Sequence, residues 1–283
     1  MTINAEAVGS VIGPKTRSWD SKDCLLYSLG VGAGMNDPVG AELEFTTENT
    51  AGMEQRVLPT QAVVLSAGGL PLKELGDVNM AKLLHGSQGV TLHRPIPVEG
   101  TLETTSTITG IWDKGKGAVV DTEAISVLAD TNEPLFTVRA SLFFRGEGGW
   151  GGDRGASETV EIPETAPDLE VAYATRTDQA LLYRLNGDRN PLHSDPQFAA
   201  AGGFPKPILH GLCTYGFTGR ALLEALCDNN TARFGSMDAR FTSPVMPGET
   251  LTVHMWRTDH GALFRTHGSD GRMVLDAGCF SYA

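Results

Sequence analysis

A short motif recurs in this chain at one constant interval. RPIPVEGTL, Arg94 to Leu102, lines up with SPVMPGETL, Ser243 to Leu251, so that Pro95 matches Pro244, Thr101 matches Thr250 and Leu102 matches Leu251, each pair 149 residues apart. Both copies run straight into alternating, β-branched sequence, TLETTSTITGIW and TLTVHMW, which predicts strands. More strand-like sequence closes each half: GAVVDTEAISVLAD and LFTVRASLFF, then ALFRTHG and MVLDAGCFSY. An internal repeat of this kind restricts the chain to two copies of one supersecondary unit. Each copy reads as a helix followed by an antiparallel meander.

The junction between them is legible too. FRGEGGWGGDRGASETV, Phe144 to Val160, holds six glycines from Gly146 to Gly155 and no hydrophobic period, so it reads as a linker. It divides the 283 residues into modules at 1–150 and 151–283, each within the ~100–150 residues usual for one domain, with two modest cores or one merged core expected.

The halves differ in their helices. LHGLCTYGFTGRALLEALCDNN places Leu212, Tyr215, Gly219, Leu222 and Leu226 at three- and four-residue steps, a buried helical stripe. Gly216 and Gly219 each cost about 1 kcal/mol of helix propensity relative to Ala, which is tolerable where a sheet wraps closely enough to need the missing Cβ. The first-half counterpart, PTQAVVLSAGGLP, is interrupted within about two turns by Gly68, Gly69 and Pro71, predicting a truncated helix.

Composition narrows the function. A net charge of -12 argues against general nucleic-acid binding, which selects a basic surface. No apolar run reaches the ~20 residues of a membrane span, and neither a secretory pattern nor a peroxisomal address is read, so the cytoplasm is expected. Cys24, Cys213, Cys227 and Cys279 are scattered without metal-finger spacing and read as small buried hydrophobes.

The stretch YRLNGDRNPLHSDP, Tyr183 to Pro196, sets Asp188, Asn190 and His193 close together around Pro191. Pro191 restricts Asn190 to extended backbone, so the segment is a turn. SDPQFAAA then starts a helix, with Ser194 and Gln197 fitting a capping box and Asp195-Pro196 fitting a cap followed by a first-turn proline. A carboxylate and an imidazole held together can divide donor and acceptor roles around one water. The same residues also fit an ordinary Asx-turn with a histidine bonding a neighbour.

Tyr183 to His193, followed by FPKPILHGLCTYG, Phe204 to Gly216, resembles the hydratase 2 motif of the MaoC-like (R)-specific enoyl-CoA hydratases and 3-hydroxyacyl-thioester dehydratases, with the likeness nearest to two-module, actinobacterial-type members. LLYSLGVGAG, VLPT, LLHGSQ, DKGKGAVV and FRGEGGWGG in the first half share the resemblance, which covers nearly the whole chain. It implies an α+β double hot-dog fold, two helix-wrapped antiparallel sheet modules, an acyl-CoA substrate and, for many members, a homodimer. It assigns Asp188 and His193 to the water-holding catalytic pair, Asn190 to their orientation, and the Gly211 N–H to the thioester carbonyl. His85 and Gly86 in LLHGSQ become candidate substrate contacts. His210 either touches substrate or ties the loop to the helix, and Lys206 and Arg189 are candidates for the CoA phosphates. Asn186 stands where the motif more often has a small hydroxyl residue or glycine.

Neither a cofactor nor a metal is expected. GVGAG at 30–34 lacks the full dinucleotide fingerprint, and no HExxH or GxSxG pattern occurs. An acyl-CoA thioesterase is the enzymatic rival, since fold alone does not settle function. A noncatalytic acyl-CoA binding module is the rival from another class.

Overall fold

The computed structural model describes residues 3–66, 68–156 and 160–283. The first module runs β1 (Val11–Trp19), α1 (Ser21–Gly30), α2 (Leu43–Thr46), a 3₁₀ turn at Pro59–Gln61 leading into α3 (Ala62–Leu65), α4 (Leu72–Leu75), β2 (Leu83–Leu92), then the meander β3 (Gly100–Asp113), β4 (Gly117–Leu128) and β5 (Pro134–Arg145). The second repeats the plan: β6 (Leu169–Ala174), α5 (Gln179–Tyr183), 3₁₀ turns at Arg184–Asn186 and Pro191–His193, α6 (Pro196–Ala201), α7 (Gly211–Cys227), β7 (Phe234–Phe241), β8 (Thr250–Thr258), β9 (Gly261–His267) and β10 (Met273–Tyr282).

The ten strands of the described residues form one antiparallel sheet in the order β1-β3-β4-β5-β2-β7-β10-β9-β8-β6. The order reads the same from either end once each strand is replaced by its repeat partner. The seam is β2 against β7, where Gly89 lies opposite Asp238, a pair 149 residues apart. The offset first seen in the proline motif is thus the offset across the seam. The expected merger of cores also occurs: one cluster joins Trp19, Tyr27 and Leu102 of the first module to Tyr215, Leu222 and Phe264 of the second, with a smaller cluster around Ile108, Val120 and Phe144.

Helix α7 is buried on nearly every side, including Tyr215, Phe217, Leu222 and Leu223, the condition of a helix enclosed by its own fold. The sequence reading gave its glycines to a wrapping sheet. The close neighbours come chiefly from first-module helical segments: a Cβ on Gly216 would lie 2.5 Å from Val31 Cγ1, just past α1, and one on Gly219 would lie 2.4 Å from Thr60 Cγ2 in the 3₁₀ turn. By contrast α3 has four residues. The predicted truncation is present, and it falls before the Gly68-Gly69 pair.

The glycine-rich junction is fastened in its described part, while residues 157–159 of that stretch lie outside the described residues. Asp113, at the end of β3, accepts N–H bonds from Gly115, Gly149, Gly151 and Gly152 at 2.8–3.3 Å. These bonds, led by Gly149 and Gly115, hold its carboxyl down at about 2. Among the described residues no helix is long and apolar enough to cross a membrane.

Candidate active site

The turn that carries Asp188 is built from local bonds. Asn186 Nδ2 donates to the Tyr183 carbonyl at 3.0 Å, and its side chain fills the space that a Cβ on Gly30 would occupy, 2.7 Å away. The unusual Asn186 is therefore packed under the C-terminus of α1. Asp188 Oδ1 accepts from the Asn190 N–H at 3.1 Å, and Asn190 Oδ1 accepts from the Leu192 N–H at 3.0 Å. Asn190 thus shapes the turn that presents His193. The next helix starts at Pro196 with Asp195 as cap, accepting from Gln197 and Phe198; the capping box proposed for Ser194 does not form, because Ser194 closes the preceding 3₁₀ turn.

Three side chains converge. Asp188, His193 and His210 each bring a polar atom within 4.8 Å of the other two. His193 and His210 are buried and their rings stack, with centroids 3.8 Å apart and planes inclined by 27°. His193 Nδ1 lies 2.9 Å from the Ile208 carbonyl. A carbonyl only accepts, so Nδ1 carries the proton and Nε2 keeps a free lone pair. His210 Nε2 likewise donates to the backbone carbonyl of Asp188 at 3.2 Å, leaving Nδ1 buried without a partner among the described residues. Burial lowers both imidazoles: His193 falls below its usual range with partial recovery from Asp188, and His210 is pushed down to about 4 by burial and then by His193. Both rings are neutral near pH 7.

This spacing suits a water. One water can bridge two partners up to about 5.6 Å apart at ~2.8 Å each. A metal ion needs lone pairs converging at about 2.0–2.1 Å, and near-parallel stacked rings aim theirs along separate planes.

The first module reaches the same place. The register of β2 against β5 shifts between His85 and Ser87, so Gly86 is the bulge residue; such bulges re-aim side chains. Here the bulge leaves His85 opposite Leu142 on the helix side of the sheet. His85 packs on Phe241 with ring centroids 4.8 Å apart. Phe241 in turn covers the start of α7, where a Cβ on Gly211 would meet its ring at 3.1 Å. Among the described residues His85 Nε2 is buried without a hydrogen-bond partner, and burial lowers the ring to about 4, opposed first by hydrogen bonding to Ser87 and Gln88 and then by the nearby Asp188. Gly211 is the first residue of α7, preceded by His210 in extended conformation with no side-chain cap. Its N–H has no partner among the described residues. Arg189 and Lys206 are exposed and stand outside this cluster.

Two antiparallel modules, each packed on a helical segment and joined through one sheet, define a protein of the double hot-dog class. Two family models match the chain: one described as MFE-2 hydratase 2 N-terminal domain over residues 18–146, and one described as MaoC like domain over residues 158–276. The 3-hydroxyacyl-thioester dehydratase Y of Mycobacterium tuberculosis is 48% identical over 100% of this chain and 99% of its own. An enoyl-CoA hydratase of the same organism is 45% identical over 89% of this chain and 88% of its own. A crystal structure of a MaoC-like dehydratase from Phytophthora capsici superposes with a TM-score of 0.88 at 32% identity, covering 99% of this chain and 98% of that one. The chain belongs to the MaoC-like hydratase 2 family.

Proposed function

We propose that the protein is a hydro-lyase, an (R)-specific enoyl-CoA hydratase and (3R)-3-hydroxyacyl-thioester dehydratase, interconverting trans-2-enoyl and (3R)-3-hydroxyacyl thioesters. The observation that carries this reading is the convergence of the Asp188 carboxylate with the His193 and His210 rings, their polar atoms within 4.8 Å of one another, beside the uncapped start of α7. In hydration, His193 Nε2 takes a proton from water as the oxygen attacks C3, while Asp188 accepts the other O–H and steadies the imidazolium. Electron density moves through the C2–C3 double bond to the thioester oxygen. The Gly211 N–H, backed by the helix N-terminus, receives that charge, a type of contact typically worth about 2.7–4 kcal/mol. His193 then returns its proton to C2 on the same face. Asn190 orients the pair through the turn, and His210 holds the Asp188 carbonyl. His85, aimed by Gly86, contacts the thioester end of the substrate, and Arg189 and Lys206 meet the CoA phosphates.

The two modules divide the work: residues 1–150 bind the acyl chain where α3 stops short, and residues 151–283 carry the reaction. The free cysteines, none of them paired, suit a reducing cytoplasm, and the chain pairs as a homodimer, which light scattering checks directly.

The test adds trans-2-enoyl-CoA to the protein and follows conjugated-thioester absorbance together with free thiol. Absorbance loss without thiol, a 3R product, and loss of both in Asp188→Asn are expected. Thiol release would assign a thioesterase instead, and tight binding without turnover a binding module.

A further inference from the structure

Arg17 lies on β1, an edge strand, yet its side chain points inward. It pairs with Leu102, which is fully buried, and residues directly opposite in an antiparallel pair share a face. Its guanidinium donates from Nη1 to the Val64 carbonyl at 2.5 Å and from Nη2 to the Asn186 carbonyl at 3.3 Å. Both acceptors sit at the C-terminal ends of short helical pieces, Val64 in α3 and Asn186 closing the 3₁₀ turn Arg184–Asn186. Carbonyls at such ends lack intrahelical partners and attract cations. Among the described residues no carboxylate pairs with Arg17, so the two carbonyls are what hold it.

One cation therefore caps two helix ends from different modules. The second of these ends is two residues from Asp188. Gly187, between them, has φ +130°, and a Cβ there would lie 3.9 Å from both Arg17 Nη atoms. On the other side of the turn, the Asp188 carbonyl is held by His210. Residues 186–188 are clamped between a guanidinium from the first module and an imidazole from the second.

We infer that Arg17 is a positioning residue for Asp188, fixing the catalytic turn against the broken helix of the first module. The inference rests on the hydratase reading above. A misplacement of ~1 Å at a reacting group costs about 10²-fold, so removing one side of the clamp is expected to lower kcat about 10- to 100-fold.

The experiment measures hydration of a four-carbon enoyl-CoA by wild type, Arg17→Lys and Arg17→Ala, with thermal unfolding recorded in parallel. The expected result is a lowered kcat with KM within about twofold, since Arg17 touches turn and not substrate. Arg17→Lys, able to keep one of the two bonds, falls between wild type and Arg17→Ala. Added guanidinium ion restores several-fold of the Arg17→Ala rate and none of the Asp188→Asn rate. Wild-type kcat in Arg17→Ala would overturn the role while leaving the hydratase intact, as would lost activity in folded Arg17→Ala that guanidinium fails to restore. If Arg17→Ala does not fold, an unchanged kcat in folded Arg17→Lys overturns it equally. A wild-type protein inert toward enoyl-CoA removes the hydratase reading, and this role with it.

Discussion

Helix α7 and its counterpart α3 start at equivalent positions, Gly211 and Ala62, yet their first N–H groups meet different fates. Before α3 the chain is already turning as the 3₁₀ piece Pro59–Gln61, and the Ala62 N–H is spent on the Pro59 carbonyl. Before α7, His210 is extended (ψ 136°), and the Gly211 N–H has no partner among the described residues. On the proposed function, a difference in backbone at one residue sets which module offers a donor to an oxyanion. The second difference is length: 17 residues in α7 against 4 in α3. On the proposed function, one module supplies the donor and the other, with its helix cut short, receives the acyl chain.

Asp188→Asn and His193→Gln should break the contrast most strongly. Each is expected to lower kcat about 10²–10⁴-fold with little change in unfolding temperature, as steady-state rates and a melting curve would register. Next comes the space. Replacing residues 66–71 by helix-forming sequence should remove turnover of long-chain enoyl-CoA while sparing the four-carbon substrate; equal loss of both would end the proposed division between modules.

A smaller effect is expected where the modules touch. Gly219→Ala gains about 1 kcal/mol of helix propensity but drives a Cβ into buried Thr60, and overpacking of that kind costs about 1–3 kcal/mol. Because Thr60 is enclosed, the overpacking outweighs the gain, and a net destabilisation of up to about 2 kcal/mol is expected by denaturant titration. Adding Thr60→Ser, which deletes the colliding methyl, should recover most of it.

The gentlest test is pH. His85, His193 and His210 all titrate below their ordinary range because they are buried. An unfolded chain takes up those protons first, near pH 6.5. Stability is therefore full above that value and declines as pH falls toward about 4, the level to which His85 and His210 are pushed. Hydration should stay flat through pH 6.5 and drop only with further acid. An inflection at 6.5 would mean that His193 is solvated.

The proline motif at Pro95 and Pro244 made the duplication legible, because both prolines precede strands whose alternation is plain. The truncated helix was legible from its breakers. The β2–β7 seam was not, since LLHGSQGV carries too few β-branched residues to announce a strand, and on its other edge β2 meets β5 through a bulge at Gly86. The two-sided clasp of Arg17 and the four-donor cradle of Asp113 were also invisible. Their partners are backbone carbonyls and N–H groups, which every residue possesses and no sequence distinguishes. At the site, the turn residues announced themselves through Pro191, whereas the choice of Asp195 over Ser194 as cap depended on where the preceding 3₁₀ turn ended.

The palindromic strand order carries a consequence for stoichiometry. Two hot-dog units paired as separate identical chains would present two equivalent reaction centres related by the dyad at Gly89 and Asp238. On the proposed function the dyad is one of architecture only: residues 31–47, which lie 149 positions before the segment 180–196 that carries Asp188 and His193, contain no histidine, and the first N–H of α3 is already occupied. A tight-binding transition-state mimic should saturate at one equivalent per 283-residue chain, the ratio of a duplicated scaffold with a single working centre.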